Sequence, residues 1–148
     1  MTAVAVINGP NLNLLGTREP DVYGRDTLPD IIGDLRRYAD ERGVDLTDFQ
    51  SNSEGALVSA IHDARTEVDG IVLNAGAYTH YSIALRDAIS GVGLPVVETH
   101  LSNVHAREPF RNESVIAAVC IGVVAGFGRH SYFVAFDALL RHLAAQAS

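Results

Sequence analysis

The chain has 148 residues, of which 47% are hydrophobic and 20% charged, a composition typical of a compact soluble domain and not of a disordered segment. The net charge of -7 argues against nucleic acid as the main partner. The longest apolar run, residues 117–127, is too short and too interrupted by glycine to span a membrane. We therefore expect one cytoplasmic domain over residues 1–148, with neither a nucleic-acid nor a membrane partner.

The basic residues and the single cysteine exclude several chemistries. All 11 basic residues are arginines, so the chain contains no lysine. A lysine Schiff base and the lysine of a P-loop are therefore both excluded. Cys120 cannot form an internal disulfide, and it lies in an apolar run where a small buried side chain is the better interpretation than a catalytic thiol.

Short β-rich runs alternate with amphipathic stretches along the whole chain, which is typical of a parallel α/β sheet. The predicted strands are residues 3–7, 45–50, 70–73, 95–99 and a fifth within 118–124. The predicted helices run from a Thr27 cap to Gly43, across apolar positions 57–68, over residues 82–89, and through an apolar face at 132, 136, 139 and 143. Five such repeats predict a flavodoxin-like three-layer sandwich with a five-stranded parallel sheet.

Two connections in this pattern are long for loops between a strand and a helix. They are residues 9–26 and residues 100–112, and long loops of this kind are commonly functional. Each follows the carboxyl end of a predicted strand, where open α/β sheets bind ligands. We therefore expect the polar residues of both loops to meet at one edge of the sheet.

The first long loop carries Arg18 and Tyr23. A tyrosine hydroxyl has a pKa near 10 in water, so a tyrosine base at neutral pH needs about 4 kcal/mol of phenolate stabilisation. Guanidinium groups can supply it, because they do not lose their own charge. Taken alone, the segment slightly favours a structural alternative, in which Arg18 pairs with Glu19 or Asp21 at the surface while Tyr23 packs.

The end of the fourth predicted strand places Glu98 and His100 two residues apart, so both side chains face the same way. A carboxylate behind a histidine fixes its tautomer and stabilises the imidazolium, which suits a general acid. An isolated pair of this kind is more commonly structural. The position at the ligand-binding edge favours the catalytic interpretation, because Ser102, Arg107 and Arg111 follow and could bind a carboxylate with neighbouring alcohols.

The end of the third predicted strand adds two further candidates. Asn74 and His80 could hydrogen-bond ligand hydroxyls, and Ser82 is a candidate helix cap. The remaining histidines show no spacing typical of metal ligands and the acidic residues are scattered, so we expect no metal site.

Several motifs stand in a fixed order along the chain: NGPNLNLLG at 8–16, REP at 18–20, YG at 23–24, QSNSEG at 50–55, TH at 79–80 with ALRDA at 84–88, and VETHLSNVHARE at 97–108. Together they resemble the type II 3-dehydroquinate dehydratases over essentially the whole chain. Each motif alone is weak, whereas all of them in this order form a specific signal. The resemblance implies one cofactor-free domain of that family.

The resemblance also implies a reaction and a set of roles. Water leaves 3-dehydroquinate by anti elimination through an enolate, in the shikimate pathway of aromatic amino-acid biosynthesis or in quinate breakdown. The implied catalytic roles are a base at Tyr23 activated by Arg18 and Arg107, an acid at His100 oriented by Glu98, and a water held by Asn11 at the enolate oxygen.

The implied substrate-binding residues are Asn74, His80, Asp87, Leu101, Ser102 and Arg111. Asp87 is expected to act from a neighbouring subunit, since the family forms trimers assembled into homododecamers. The chain departs from the family pattern at Ser53, Tyr81 and Ser131, which puts the detail of the cavity wall in question but no proton-transfer residue.

Two alternatives belong to other classes of protein. A flavodoxin-like module that binds flavin mononucleotide would suit the predicted sheet, because a fold does not fix a function. Its phosphate loop should be rich in glycine, serine and threonine, whereas the loop after the first strand offers proline, leucine, arginine and tyrosine. A catalytically inactive relative is the other alternative, and an assay is needed to exclude it.

Overall fold

The computed structural model describes residues 1–17 and 19–147. Its strands are β1 (Ala3–Asn8), β2 (Asp45–Gln50), β3 (Gly70–Asn74), β4 (Val96–His100) and β5 (Gly122–Ala125). All neighbouring pairs are parallel, and the order across the sheet is β2-β1-β3-β4-β5. This order is that of the flavodoxin-like doubly wound fold, so the predicted architecture is confirmed.

Helices cover both faces of the sheet. They are α1 (Pro20–Tyr23), α2 (Leu28–Asp40), α3 (Glu54–Glu67), α4 (Ile83–Val92) and α5 (His130–Ala147). One buried cluster joins the sheet to α2 and α5, and a second joins it to α3 and α4. Short 3-10 turns connect these elements at Leu12–Leu14, Gly76–His80, Val104–Ala106, Pro109–Asn112 and Ala117–Val119.

Strand β1 lies inside the sheet and contributes to both clusters. Val4 and Val6 pack on the α2 and α5 side, whereas Ala5 and Ile7 pack on the α3 and α4 side, because successive side chains of a strand alternate. A fully buried valine or isoleucine stabilises the fold by about 1.5–3 kcal/mol. The apolar run before Asn8 is therefore what fixes the end of β1 in place.

The start of α2 agrees with its sequence signal. The Thr27 hydroxyl accepts a hydrogen bond from the backbone N–H of Asp30 at 3.2 Å, and the Asp30 carboxylate accepts one from the backbone N–H of Thr27 at 3.1 Å. The bond from the Thr27 backbone holds the pKa of Asp30 below its usual value. The helix ends at Asp40, and Gly43 provides the following turn with a φ of +68°.

The fifth strand differs from its prediction. Residues 118–124 were expected to contain it, but β5 spans Gly122–Ala125 and the preceding residues form the 3-10 turn Ala117–Val119. The Ser114 hydroxyl accepts the backbone N–H groups of Ile116 and Ala117, which begins that turn. Apolar character alone does not distinguish this turn from a strand.

Within residues 1–17 and 19–147, none of the helices combines the length and apolar character that a membrane crossing requires.

Candidate active site

A small cavity that opens to solvent lies at the carboxyl ends of β1, β3 and β4. The strand order reverses between β1 and β3, because β2 is added on one side of β1 and all later strands are added on the other. Doubly wound folds bind ligands at this position. The residues that line it come from the loops after these strands: Pro10, Asn11, Leu12, Tyr23, Asn74, Gly76, Ala77, His80, His100, Leu101, Ser102, Val104, Arg107 and Arg111. Both long loops therefore meet at one edge, as predicted.

The loops after β1 and β3, which both contribute lining residues, begin with a close contact between their two backbones. The N–H of Gly9 donates to the carbonyl of Asn74 at 2.7 Å. A Cβ atom at Gly9 would lie 2.4 Å from the carbonyl oxygen of Ala75, a distance that two backbones cannot relieve by rotating a side chain. Glycine at position 9 is therefore required for the loops after β1 and β3 to meet.

The described part of the first long loop contains the 3-10 turn Leu12–Leu14 and the short helix α1. Asn11 adopts a left-handed conformation with a φ of +69°, which asparagine tolerates better than most residues, and its N–H donates to the Asn52 side chain at 3.0 Å. Tyr23 ends the short helix α1, is half-buried and lines the cavity. Arg18, the predicted activator, lies outside the described residues.

Arg107 stands beside Tyr23. Its guanidinium carbon lies 5.0 Å from the centroid of the tyrosine ring, within the range of a cation–π contact. One of its terminal nitrogens donates to the hydroxyl of Ser102 at 3.3 Å. The side chain of Arg107 is only 13% exposed, so solvent screens its charge weakly, and its Nε atom lies 3.8 Å from the Glu108 carboxylate. The tyrosine ring and this carboxylate therefore share the positive charge of Arg107.

Glu98 and His100 form a buried pair at the end of β4. The Nε2 atom of His100 lies 2.6 Å from a carboxylate oxygen of Glu98, and the two residues are 7% and 1% exposed. The second oxygen of Glu98 accepts the hydroxyl of Ser114 at 2.8 Å. Because the carboxylate holds the proton on Nε2, Nδ1 is left as the nitrogen that can take up and deliver a second proton.

His80 lies next to His100. The two rings are nearly parallel, with centroids 6.5 Å apart. The Nδ1 atom of His80 lies 2.7 Å from the backbone carbonyl of Glu113, and a carbonyl can only accept, so Nδ1 carries the proton. In the neutral ring Nε2 is then a hydrogen-bond acceptor, which suits a ligand hydroxyl.

A buried polar chain holds Asn74 at the cavity wall. The Tyr132 hydroxyl donates to the side-chain oxygen of Asn8 and accepts from the side-chain nitrogen of Asn74 at 3.1 Å. The Asn74 oxygen accepts the N–H of Gly76 at 3.1 Å. Burial raises the pKa of Tyr132, while the bond from Asn74 opposes that rise. Tyr132 is therefore a neutral hydroxyl that orients Asn74.

The second arginine of the cavity has an internal partner. Arg111 makes a two-point contact with the carboxylate of Glu108, at 3.1 and 3.3 Å, and its side chain is 15% exposed. These hydrogen bonds, with the charges of Arg111 and Arg107, hold the pKa of Glu108 below its usual value. Glu108 is 52% exposed, so solvent screens this pair and a ligand must compete with it for Arg111.

Of the remaining residues expected to bind substrate, two line the cavity and one does not. Leu101 and Ser102 line the cavity, and the carbonyl of Leu101 accepts the N–H of Gly128 at 2.9 Å. Asp87 is exposed on α4 and does not line the cavity of its own chain. Its expected action from a neighbouring subunit stays a prediction.

The departures from the family pattern have local structural roles. Ser53 caps α3 by accepting the N–H of Ala56 at 3.2 Å. Ser131 is fully buried and accepts the N–H of Phe127 at 3.0 Å. Tyr81 is exposed and packs edge-on against Tyr78. None of these three residues lines the cavity.

Three residues that shape the site were missed by the sequence analysis. Asn8 was treated only as the first residue of the motif at 8–16, Tyr132 as part of an apolar helix face, and Ser114 carried no signal at all. In the part of the chain that the structure describes, no three histidine, cysteine or acidic side chains are grouped so that they could hold a metal ion.

The fold and the site together define a doubly wound α/β protein with a small polar ligand cavity at the switch point of its sheet. The model of the family Dehydroquinase class II matches residues 2–140, and the chain belongs to this family.

Similar proteins agree with that assignment. The chain is 61% identical to a protein of Jannaschia sp. (strain CCS1) named 3-dehydroquinate dehydratase, over 95% of each chain. It is 57% identical to a protein of the same name from Ruegeria pomeroyi, over 100% of this chain and 99% of that one. The crystal structure of type II dehydroquinase from Butyrivibrio crossotus superimposes with a TM-score of 0.92 at 43% identity, covering 93% of this chain and 97% of the other.

Proposed function

We propose that residues 1–148 form a type II 3-dehydroquinate dehydratase, which converts 3-dehydroquinate into 3-dehydroshikimate and water. The observation that carries the proposal is that Tyr23, Arg107 and the His100–Glu98 pair meet at one cavity. Family membership and relatives of that name support it. The step belongs to the shikimate pathway or to quinate breakdown.

The first chemical step is removal of a proton from the carbon beside the ketone. Tyr23 acts as the base, and its phenolate is stabilised by the guanidinium of Arg107 on its ring and by Arg18 of the same loop. The electron pair left on carbon moves to the ketone oxygen and forms an enolate. A water held by Asn11 donates a hydrogen bond to that oxygen, and charge stabilisation of this kind commonly dominates catalysis.

The second step expels the hydroxyl group. The enolate re-forms the ketone, a carbon–carbon double bond forms, and the carbon–oxygen bond breaks. His100 delivers the proton from Nδ1, so the leaving group departs as water. Glu98 stabilises the imidazolium before transfer and keeps the proton on Nε2 afterwards. The tyrosine then loses its proton to solvent and the histidine regains one, so the enzyme returns to its starting state without a cofactor.

Binding is assigned to the rest of the lining. The side chains of Arg111, Asn74 and His80 form hydrogen bonds with the substrate hydroxyls. Leu101 and Ser102 bind the substrate carboxylate. The Nε2 acceptor of His80 supports this role, as does the fixed orientation of Asn74.

An assay without added metal or cofactor tests the proposal. The product is a conjugated enone, so its formation from 3-dehydroquinate is followed by ultraviolet absorbance. We expect turnover with the purified chain alone. A chain that binds the substrate without turnover would be the inactive relative, and a chain that neither binds nor converts it would overturn the proposal.

We further propose that the chain forms trimers and that four trimers assemble into a homododecamer. In this assembly Asp87 contributes to the cavity of a neighbouring subunit. Ile83 lies one helical turn before Asp87 on α4 and is 57% exposed, and Tyr81 and Phe110 near the cavity rim are 62% and 56% exposed. These apolar side chains could be covered by another subunit. Light scattering should report the dodecamer, and Ile83→Asp should give smaller particles with reduced activity, whereas a monomeric active wild type would contradict the assembly.

A further inference from the structure

Ser114 contacts the acid pair without contacting the cavity. Its hydroxyl donates to one oxygen of Glu98 at 2.8 Å, while the other oxygen lies 2.6 Å from the His100 ring. Glu98 is 1% exposed, so water cannot replace a lost partner at either oxygen. Both oxygens are therefore held from fixed positions, one by the histidine and one by the serine.

The backbone around Ser114 fixes the serine itself. Its oxygen accepts the N–H groups of Ile116 and Ala117 at 3.3 and 3.0 Å. Because these N–H groups occupy its lone pairs, the hydroxyl proton points away from them and toward Glu98. The backbone at the start of the 3-10 turn Ala117–Val119 therefore orients the hydroxyl of Ser114.

The neighbours of Ser114 extend this arrangement to the second histidine. The carbonyl of Glu113 accepts the Nδ1–H of His80 at 2.7 Å. The N–H of Val115 donates to the carbonyl of Thr79 at 2.9 Å, and its carbonyl accepts from Arg86 at 2.8 Å. The segment 113–115 is thus tied to α4 and to the turn that carries His80.

We infer that Ser114 is a positioning residue for the acid step, acting through Glu98 on the tautomer and orientation of His100. This inference rests on the proposed function for its effect on turnover. A carboxylate that accepts two hydrogen bonds at opposite oxygens cannot rotate about its terminal bond without breaking one of them. Without the serine bond, Glu98 turns more freely and His100 loses its single defined tautomer.

The test compares Ser114→Ala with Ser114→Thr, which keeps the hydroxyl and so the acceptor of the Ile116 and Ala117 N–H groups. Ser114→Ala should lower kcat about tenfold, the usual scale for one hydrogen bond to a charged group, while KM stays within about twofold. Ser114→Thr should restore most of kcat. Ser53→Ala is the matched control, because it removes a serine cap with no link to Glu98, and its kcat should be unchanged.

A double-mutant cycle separates positioning from a general structural effect. In a Glu98→Ala background, Ser114→Ala should change kcat less than about twofold, because the path to His100 is already cut. A tenfold loss in both backgrounds, or a normal kcat in Ser114→Ala, would overturn the inference.

Ring-nitrogen chemical shifts of His100 give a readout that does not depend on turnover. In the wild-type protein with 15N-labelled histidine, the neutral ring should carry its proton on Nε2. In Ser114→Ala a mixture of tautomers should appear, with unchanged shifts at His62. If the wild-type protein is inactive but Ser114→Ala still shows the tautomer mixture, the proposed function is wrong and the role of Ser114 stands. If the wild-type protein is active but the His100 shifts are unchanged in Ser114→Ala, the role of Ser114 alone is wrong.

Discussion

The guanidinium of Arg107 faces the ring of Tyr23, with 5.0 Å between the guanidinium carbon and the ring centroid. Arg107 follows β4 in the second long loop, and Tyr23 ends α1 in the first. Their contact therefore brings together two segments more than 80 positions apart in the chain. In the proposed mechanism, the positive charge of Arg107 stabilises the negative charge of the Tyr23 phenolate directly.

Tyr23→Phe should remove the proton acceptor and little else. We expect kcat to fall by about 10²–10⁴-fold, the usual contribution of a general base, while substrate affinity measured by calorimetry changes little. Tyr38→Phe is the matched control, since its hydroxyl bonds Asp137 on α5, away from the cavity. Near-normal turnover in Tyr23→Phe would remove it from the role of base.

His100→Ala should abolish the acid step. Because the leaving hydroxyl then departs without a proton donor, kcat should fall by about 10²–10⁴-fold. His62→Ala, which removes an exposed histidine of α3, should keep wild-type activity. A His100→Ala variant that still dehydrates the substrate at a wild-type rate would show that another group is the acid.

Tyr132→Phe should destabilise the fold and weaken substrate binding. It removes the hydroxyl between Asn8 and Asn74 and leaves buried amide groups without a partner, at a cost of about 1–3 kcal/mol. Urea unfolding should show a lower midpoint, and KM should rise because Asn74 keeps only its bond from Gly76 and loses the one that fixes its amide nitrogen. Removal of an exposed hydroxyl in Tyr81→Phe should leave the free energy of unfolding unchanged.

Cys120 should be unreactive at moderate pH. Burial, and secondarily the negative charge of Glu98, raises the pKa of its thiol to about 12. Only the thiolate reacts, so alkylation by iodoacetamide at pH 8 should be on the order of 10³ times slower than for an ordinary thiol. The rate should rise about tenfold per pH unit until the pKa is reached. Alkylation in urea serves as the control, and fast reaction of the folded chain would contradict the prediction.

Local signals predicted those parts of the structure that depend on neighbours in sequence. The cap at Thr27 and Asp30 marks the start of α2, and β2 spans the predicted residues 45–50. The contact between Glu98 and His100 follows from the two-residue period of a strand. Parallel strands end at one edge of a sheet, so the meeting of the two long loops was also predictable.

Contacts between distant segments were not predictable in this way. An amphipathic pattern explains why Tyr132 faces inward from α5, but not that its hydroxyl meets Asn8 and Asn74 from two strands. Ser114 reaches Glu98 only because an apolar stretch turns before it extends into β5.

The glycine at position 9 also limits which sequences can build this edge of the sheet. The backbone there is bound to β3 by a hydrogen bond at 2.7 Å and has no room for a side chain. Even a methyl group at this position would force the carboxyl ends of β1 and β3 apart, because the atoms it meets belong to the backbone of Ala75. Asn11 and Asn74 would then separate, although neither of them had been changed.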